Sequence, residues 1–378
     1  MSQRPRYHQM LVSPHVGGGA LVAMEIHRHA VASRGPVSQL LIPGGAEAER
    51  LARQNRFDFA EYRLDRLTGQ SRVRMTLECL RLRRRIGGRT GIIHVHSPFV
   101  YGAARLFHRL SRLRRILHVH LDFTAEDLRW PLTFPPDLII VCAQYMRGAV
   151  EQALAERGFD GRCAVRVIPN AVDTCRFVRA DRRSAKQHLG LPPEEPVAMV
   201  VANLAPHKGQ ETAIRAVACL KEMGQRLRLW IAGNERDPGS GYVRHLETLA
   251  TELGVSDRVD FVGFRKDTPE LFRAADFLLL PSTSEGLPLS VLEAQASGAV
   301  VLAAPTAGIP EVVRDGETGY LIAAGDFTTY ARRLADLLAN PGQAALVSES
   351  ASRHVCRAHD VRRYCERILE EYDALLDA

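Results

Sequence analysis

Runs of consecutive apolar residues recur along this chain. Each is followed by a glycine-, proline- or polar-rich loop, then by a longer segment with apolar positions three and four apart. Such runs predict fully buried strands, and the longer spacing predicts helices. The strands read this way are 9–13, 37–43, 92–96, 116–120, 137–143, 197–201, 227–232, 259–263, 275–280, 300–303 and 319–322. Val73, Leu77 and Leu80 mark one helix face, ending in the basic run 81–85. Leu106, Leu110, Leu113 and Leu117 mark a second, and Tyr364, Ile368, Tyr372 and Leu375 a last one. Strand, helix, strand in alternation predicts parallel sheets with crossover helices, an α/β chain of doubly wound, Rossmann-like domains. The segment 165–170 closes a first domain, 1–173. A polar, basic, proline-bearing stretch, 174–195, reads as a linker. A second domain follows over 196–350.

The most informative stretch is Ser282–Glu293. It follows the run 275–280, which Pro281 ends. Gly286 and Pro288 mark a tight turn into a helix that carries Leu289, Leu292, Ala296 and Ala299 inward. The amides around Leu287–Ser290 then lack helical partners, and the helix dipole places partial positive charge there. Two acids flank this anion site, Glu285 in the loop and Glu293 in the helix, about 12 Å apart at helical rise. A nucleotide sugar would lay its diphosphate at the helix start, its sugar near Glu285 and its ribose near Glu293. Ligands of open parallel sheets bind beyond the strands' carboxyl ends, where this loop lies. The plainer alternative is a surface loop whose acids favour a helix start.

Three other loops carry candidate chemistry. Gly17, Gly18 and Gly19 stand between the first strand and a helix, an arrangement that lets backbone approach a ligand or simply makes a tight turn. His120 ends a strand, with His118 two residues earlier on the same face; His94 and His96 read as structural or supporting. Neither pair has an acidic or cysteine partner at metal-ligand spacing. Asn203 and Lys208 lie in a loop between a strand and a helix.

Together, Glu285 and Glu293 with seven residues between them, then Ala294-Gln295-Ala296-Ser297-Gly298, Gly308-Ile309-Pro310-Glu311 and Asp315-Gly316-Glu317-Thr318-Gly319, resemble the family 4 retaining glycosyltransferases. The resemblance is densest from 165 to 326. It implies the GT-B fold, two Rossmann-like domains facing across a cleft, with a C-terminal helix (351–378) packed back on the first. It implies transfer of a sugar from a nucleotide-diphospho-sugar, a UDP-sugar first among them, to a sugar, lipid-linked or small-molecule acceptor. It assigns His120 and Glu285 to the donor sugar, Lys208 to the diphosphate, Glu293 to the ribose, and Gly18 and Gly19 to the cleft wall. Gly286, Leu287, Pro288 and Leu289 become the donor-binding turn. No further cofactor and no metal are expected, and the chain has no Asp-x-Asp. The chain departs from the family at Asn203, where many members carry an arginine. A sugar-nucleotide epimerase or hydrolase of the same fold, or a degenerate transferase serving as a partner subunit, is the alternative.

Composition changes this picture in two places. Seven scattered cysteines without a Cys-x-x-Cys pair suit reduced thiols in the cytoplasm, and no apolar run approaches the ~20 residues of a membrane span. The net charge of +7 is uneven: residues 1–175 carry 26 Arg, no Lys and 15 acids, leaving +11 there and −4 in the rest. Nucleic acid is excluded by the lack of any basic-aromatic module. The arginines admit peripheral contact with anionic membrane or a phosphate-bearing acceptor, or form the solvated faces of crossover helices.

Overall fold

The computed structural model describes residues 6–12, 17–35, 37–44, 46–63, 72–87, 90–235 and 239–378. The chain divides into two compact units, one of Met1–Asn170 with Val361–Ala378, the other of Ala171–Asp360.

The first unit holds strands β1 (Arg6–Met10), β2 (Ser38–Pro43), β3 (Phe59–Tyr62), β4 (Gly91–Val95), β5 (Arg114–Val119), β6 (Leu138–Val141) and β7 (Ala164–Val167). They form one sheet in the order β3-β2-β1-β4-β5-β6-β7, every pairing parallel. The second unit holds β8 (Val197–Val201), β9 (Arg228–Ala232), β10 (Val259–Gly263), β11 (Phe277–Leu280), β12 (Val300–Ala303) and β13 (Tyr320–Leu321). Their order is β10-β9-β8-β11-β12-β13, again parallel throughout. Parallel strands need crossovers, and right-handed crossovers place helices on both faces of each sheet. β11 and β12 are therefore buried over their full length, as their unbroken apolar runs require. The strand order reverses between β1 and β4 in one unit and between β8 and β11 in the other. Each reversal opens a crevice at the strands' carboxyl ends.

Several elements differ from the sequence reading. β1 starts at Arg6 rather than at residue 9, because Tyr7, His8 and Gln9 are buried despite their polarity. The edge strand β3 and the helix Ala46–Gln54 were not foreseen; Glu61 is exposed within a strand of four residues, so no apolar run marks it. The leucine-periodic segment 106–117 is not one helix. Helices Pro98–Ala103 and Arg105–Leu110 pivot at Ala104, and the chain turns extended at Ser111 before β5. In the helix Arg72–Leu82, Val73 and Leu77 face solvent at 67% and 51% exposure, and the inward stripe is Cys79 and Leu82, continued by Ile86 in the wider turn Arg83–Gly87. Residues 174–195, read as a linker, belong to the second unit. Asp181 caps a helix there, Arg182–His188, whose buried Lys186 Nζ reaches Asp276 Oδ2 at 2.7 Å. Two helices cover 351–378. Pro341–Ala358 stays with the second unit, and Val361–Asp377 joins the first through Tyr364, Ile368 and Tyr372. Among the described residues no helix is long and apolar enough to cross a membrane.

Candidate functional site

The crevice of the second sheet is built by two loops, one after β8 and one after β11. β8 runs out into Ala202-Asn203-Leu204, where Leu204 N donates to Asn234 O at 2.8 Å. The backbones approach so closely that a Cβ on Gly233 would lie 1.9 Å from Ala202 O. A single 3-10 turn, Pro206–Lys208, follows and is closed by Gly209 at φ 72°. A Cβ there would sit 2.3 Å from Pro281 O, so only glycine admits this contact between the loops. Thr283 N donates to His207 O at 2.9 Å, and Ser282 Oγ donates to Lys208 O at 3.4 Å. On the far side, Thr306 Oγ1 donates to Ser282 O at 2.9 Å and Gly308 N to Gly286 O at 2.9 Å. Gly209→Ala should therefore lose about 1–3 kcal/mol to backbone strain, and more if the loops must part. A fall in the urea midpoint with an unchanged m-value checks this.

Clamped in this way, Lys208 Nζ lies 2.8 Å from Glu285 Oε1, with the carboxylate side chain 7% exposed and the ammonium stem 19%. The pair sits beside the helix Leu289–Ser297. Its N-cap is Pro288, no side chain caps it, and no acid occupies its first turn. The Leu289 and Ser290 amides have no partner among the described residues, and the helix dipole adds positive charge at that end. Leu287, Val291 and Leu292 are buried and anchor the turn in the core.

Glu293, one turn further, is half-buried and accepts no hydrogen bond among the described residues. Burial pushes its carboxyl up to about 7, and the nearby Arg176 guanidinium partly opposes this. The Asn203 side chain is exposed, while its backbone carbonyl accepts from Gln210 Nε2 at 3.0 Å. Within the second unit, Lys208, Glu285 and the turn Gly286–Leu289 are thus brought together. The arrangement can bind an anion at the helix start and accept hydroxyl hydrogen bonds at Glu293.

In the first unit, His120 follows β5 and its ring lies over Gly19. A Cβ on Gly19 would meet His120 Cδ2 at 3.1 Å. Gly18 is exposed, and residues 13–16 of the same loop lie outside the described residues. His118 is fully buried, which leaves His120 as the half-buried member of the pair. β4 and β5 place His94, His96, His118 and His120 on one face, where the rings stack; His118 and His120 lie 4.0 Å apart between centroids. Burial lowers all four, His120 to about 3 and the others well below the ordinary imidazole value, so the column is neutral at pH 7.

His94, His96 and His118 bring one ring nitrogen each within 4.8 Å. Ligand lone pairs lie in the ring plane. The near-parallel planes of His94 and His118, 11° apart, keep theirs from converging on one ion. Both His96 nitrogens are already hydrogen-bonded.

Sequence reasoning missed the Lys208–Glu285 pair, the Arg176 field on Glu293 and the partners of the histidine column. Only the shared parity of Gln9, His94 and His96 across paired strands could have signalled the last.

A model of glycosyl transferases group 1 matches residues 181–354, and one of glycosyltransferase family 4 matches residues 16–176. Among curated relatives, the D-inositol 3-phosphate glycosyltransferase of Nocardia farcinica is 35% identical over 221 residues, covering 57% of this chain and 48% of that protein. The protein of the same name from Stackebrandtia nassauensis is 36% identical over 280 residues, covering 71% of this chain and 60% of that one. The chain thus spans about half the length of the curated relatives it matches. Anabaena Alr3699/HepE, solved in complex with UDP and glucose, superposes with a TM-score of 0.84 at 22% identity over 97% of this chain and 99% of that one. WaaG, a glycosyltransferase involved in lipopolysaccharide biosynthesis, gives 0.72 at 16% over 97% and 99%. At these identities the likeness establishes the GT-B fold alone.

Proposed function

The chain belongs to the family 4 glycosyltransferases, the glycosyl transferases group 1, and from that premise we propose that it moves a sugar from a nucleotide-diphospho-sugar to an acceptor hydroxyl with retention of configuration. The observation that carries this reading is the Lys208–Glu285 ion pair seated at an uncapped helix start, in the crevice where the second sheet reverses its strand order. Such a site stabilises a departing diphosphate with one ammonium and preorganised amides, and asks for no metal ion. Lys208 and the Leu289 and Ser290 amides receive the diphosphate. Glu285 holds the donor sugar and supports positive charge developing at its anomeric carbon. Glu293 accepts hydrogen bonds from the ribose hydroxyls. His120 serves the donor sugar, as the family resemblance assigns. UDP is the nucleotide, in keeping with the UDP bound to the structural neighbour HepE. The acceptor is a polyol, sugar or lipid-linked glycan, classes suggested by the names of the relatives. The setting is cytoplasmic, with the arginines of the first unit available to an anionic membrane face.

The test is calorimetry with UDP-glucose, beside a panel of UDP-, GDP-, ADP- and TDP-sugars scored for turnover. A ribose diol donates to the ionised carboxylate. Binding therefore releases the Glu293 proton below about 7, and affinity should rise with pH through that value. From pH 8 to pH 6 the wild type should lose roughly tenfold in affinity, about one pKa unit of linkage. Glu293→Gln should bind weakly and without this slope. Unchanged affinity in Glu293→Gln would remove Glu293 from the ribose.

A further inference from the structure

The histidine column of the first unit ends in a hydrogen-bonded chain that reaches the C-terminal helix. Gln9 Nε2 donates to Tyr372 Oη at 2.7 Å, and Tyr372 Oη meets His94 Nδ1 at 2.7 Å. Gln9 Oε1 lies 3.0 Å from His96 Nε2, and His96 Nδ1 lies 2.9 Å from His120 Nε2. With the Gln9 carbonyl on the His96 side and its amide on the Tyr372 side, these links have one polarity. The Gln9 carbonyl can only accept, so His96 carries its proton on Nε2 and leaves Nδ1 bare. A bare His96 Nδ1 can only accept, so His120 carries its proton on Nε2. Its own Nδ1 is then an acceptor, and that atom is buried with no partner among the described residues. At the other end, Tyr372 receives the Gln9 amide proton and gives its hydroxyl proton to His94 Nδ1. The Gly19 backbone against the His120 ring limits how far the ring can turn out of this register.

We propose that Gln9, His96 and Tyr372 are positioning residues that hold His120 in its Nε2–H tautomer, so that a substrate hydroxyl reaching the buried Nδ1 meets an acceptor nitrogen and no proton. The inference rests, for its catalytic consequence, on the transferase reading in which His120 serves the donor sugar. The chain of contacts itself does not depend on that reading. Reversing the polarity would require the Gln9 amide to turn over, which would present its NH₂ to His96 and its carbonyl to Tyr372, and would move the His120 proton to Nδ1. The fold thus ties the protonation pattern of a residue at the end of β5 to a tyrosine contributed by the helix Val361–Asp377.

The experiment uses the full chain labelled with ¹⁵N-histidine, with His96→Gln and His120→Gln variants for assignment. Long-range ¹H–¹⁵N spectra at pH 7.5 should show His120 and His96 protonated on Nε2 with bare Nδ1. In Gln9→Met, which keeps the side-chain length and removes both hydrogen bonds, His120 should become a mixture of tautomers. Tyr372→Phe, the milder change, should move it the same way. Gln9→Glu, whose carboxylate accepts the same His96 proton, should keep the wild-type pattern. Turnover of UDP-glucose should fall roughly tenfold in kcat in Gln9→Met, the scale of one hydrogen bond. KM should stay within about threefold, and Gln9→Glu should recover most of the loss. A wild-type His120 protonated on Nδ1, or a tautomer indifferent to Gln9→Met and Tyr372→Phe, overturns the proposal. A tautomer that changes while kcat does not overturns its catalytic half. A wild type with no turnover of any nucleotide sugar counts against the transferase reading alone, and the spectra still decide the chain.

Discussion

Lys208→Ala should lower kcat and kcat/KM together, by roughly 10²–10³, the range for deleting one preorganised donor to a developing oxyanion. The reason is where its charge is held. Gly209 and Pro281 lock the two loops, and the ammonium rests 2.8 Å from Glu285 at the open start of the helix Leu289–Ser297. As the nucleotide leaves, negative charge grows on the diphosphate, and the attraction to this ammonium grows with it. On the proposed reading the lysine should therefore act more on the transition state than on ground-state binding. Its partner sharpens the expectation. Without Lys208, the nearly buried Glu285 carboxylate faces an incoming diphosphate with no ammonium between them, and like charges repel. Lys208→Ala and Glu285→Gln should accordingly be non-additive, the double variant being no worse than the weaker single one within about threefold. Asn203 adds no positive charge to share the load, and Asn203→Arg should restore part of the activity lost in Lys208→Ala. Steady-state kinetics on the four enzymes of the cycle decide this. A change confined to KM in Lys208→Ala would put the diphosphate elsewhere.

The first unit should unfold in mild acid. Burial holds His94, His96 and His118 well below the ordinary imidazole value, His108 and His120 at about 3, and His27 at about 4. In the unfolded chain each titrates near 6.5. Between that value and the folded ones, the unfolded state binds more protons, so stability is complete above pH 6.5 and falls as the pH falls. Each group costs about 1.4 kcal/mol per pH unit, about 2 kcal/mol by pH 5. Six such groups ask for about as much as a whole domain's stability of about 5–15 kcal/mol. Calorimetric scans from pH 7.5 to 4.5 should therefore show one transition moving steeply down and vanishing near pH 5, while the other persists. His118→Phe keeps a ring in the stack and removes two buried nitrogens that lack partners among the described residues, so it should shift the acid midpoint downward. A flat melting temperature between pH 7 and pH 5 would mean that the column is open to water.

The parts of the fold legible in the sequence are those where local chemistry and tertiary burial agree. β11 and β12 are four-residue apolar runs buried on both faces, and the glycine and proline after them have only one use, a turn into a helix. Glu285 and Glu293 could be singled out because their spacing across a helix start is itself chemical information. The losses came where burial is satisfied by distant partners. Tyr7 and His8 read as polar chain, yet they lie in β1, and the buried Gln9 beside them is satisfied by Tyr372, 363 residues away. Val73 and Leu77 read as an inward face and are exposed, because Cys79, Leu82 and Ile86 make the better stripe. Lys208 was legible as a cation in a loop. Its pairing with Glu285 was not, because the contact depends on Gly209 meeting Pro281 across two strands that are adjacent only in the folded sheet.

A crystal structure of the chain with UDP bound tests the central claim most directly. The account predicts diphosphate oxygens within hydrogen-bonding distance of Lys208 Nζ and of the Leu289 and Ser290 amides, with the ribose hydroxyls on Glu293. A nucleotide seated in the β1–β4 crevice of the first unit, or one that leaves the Lys208–Glu285 pair untouched, would contradict it.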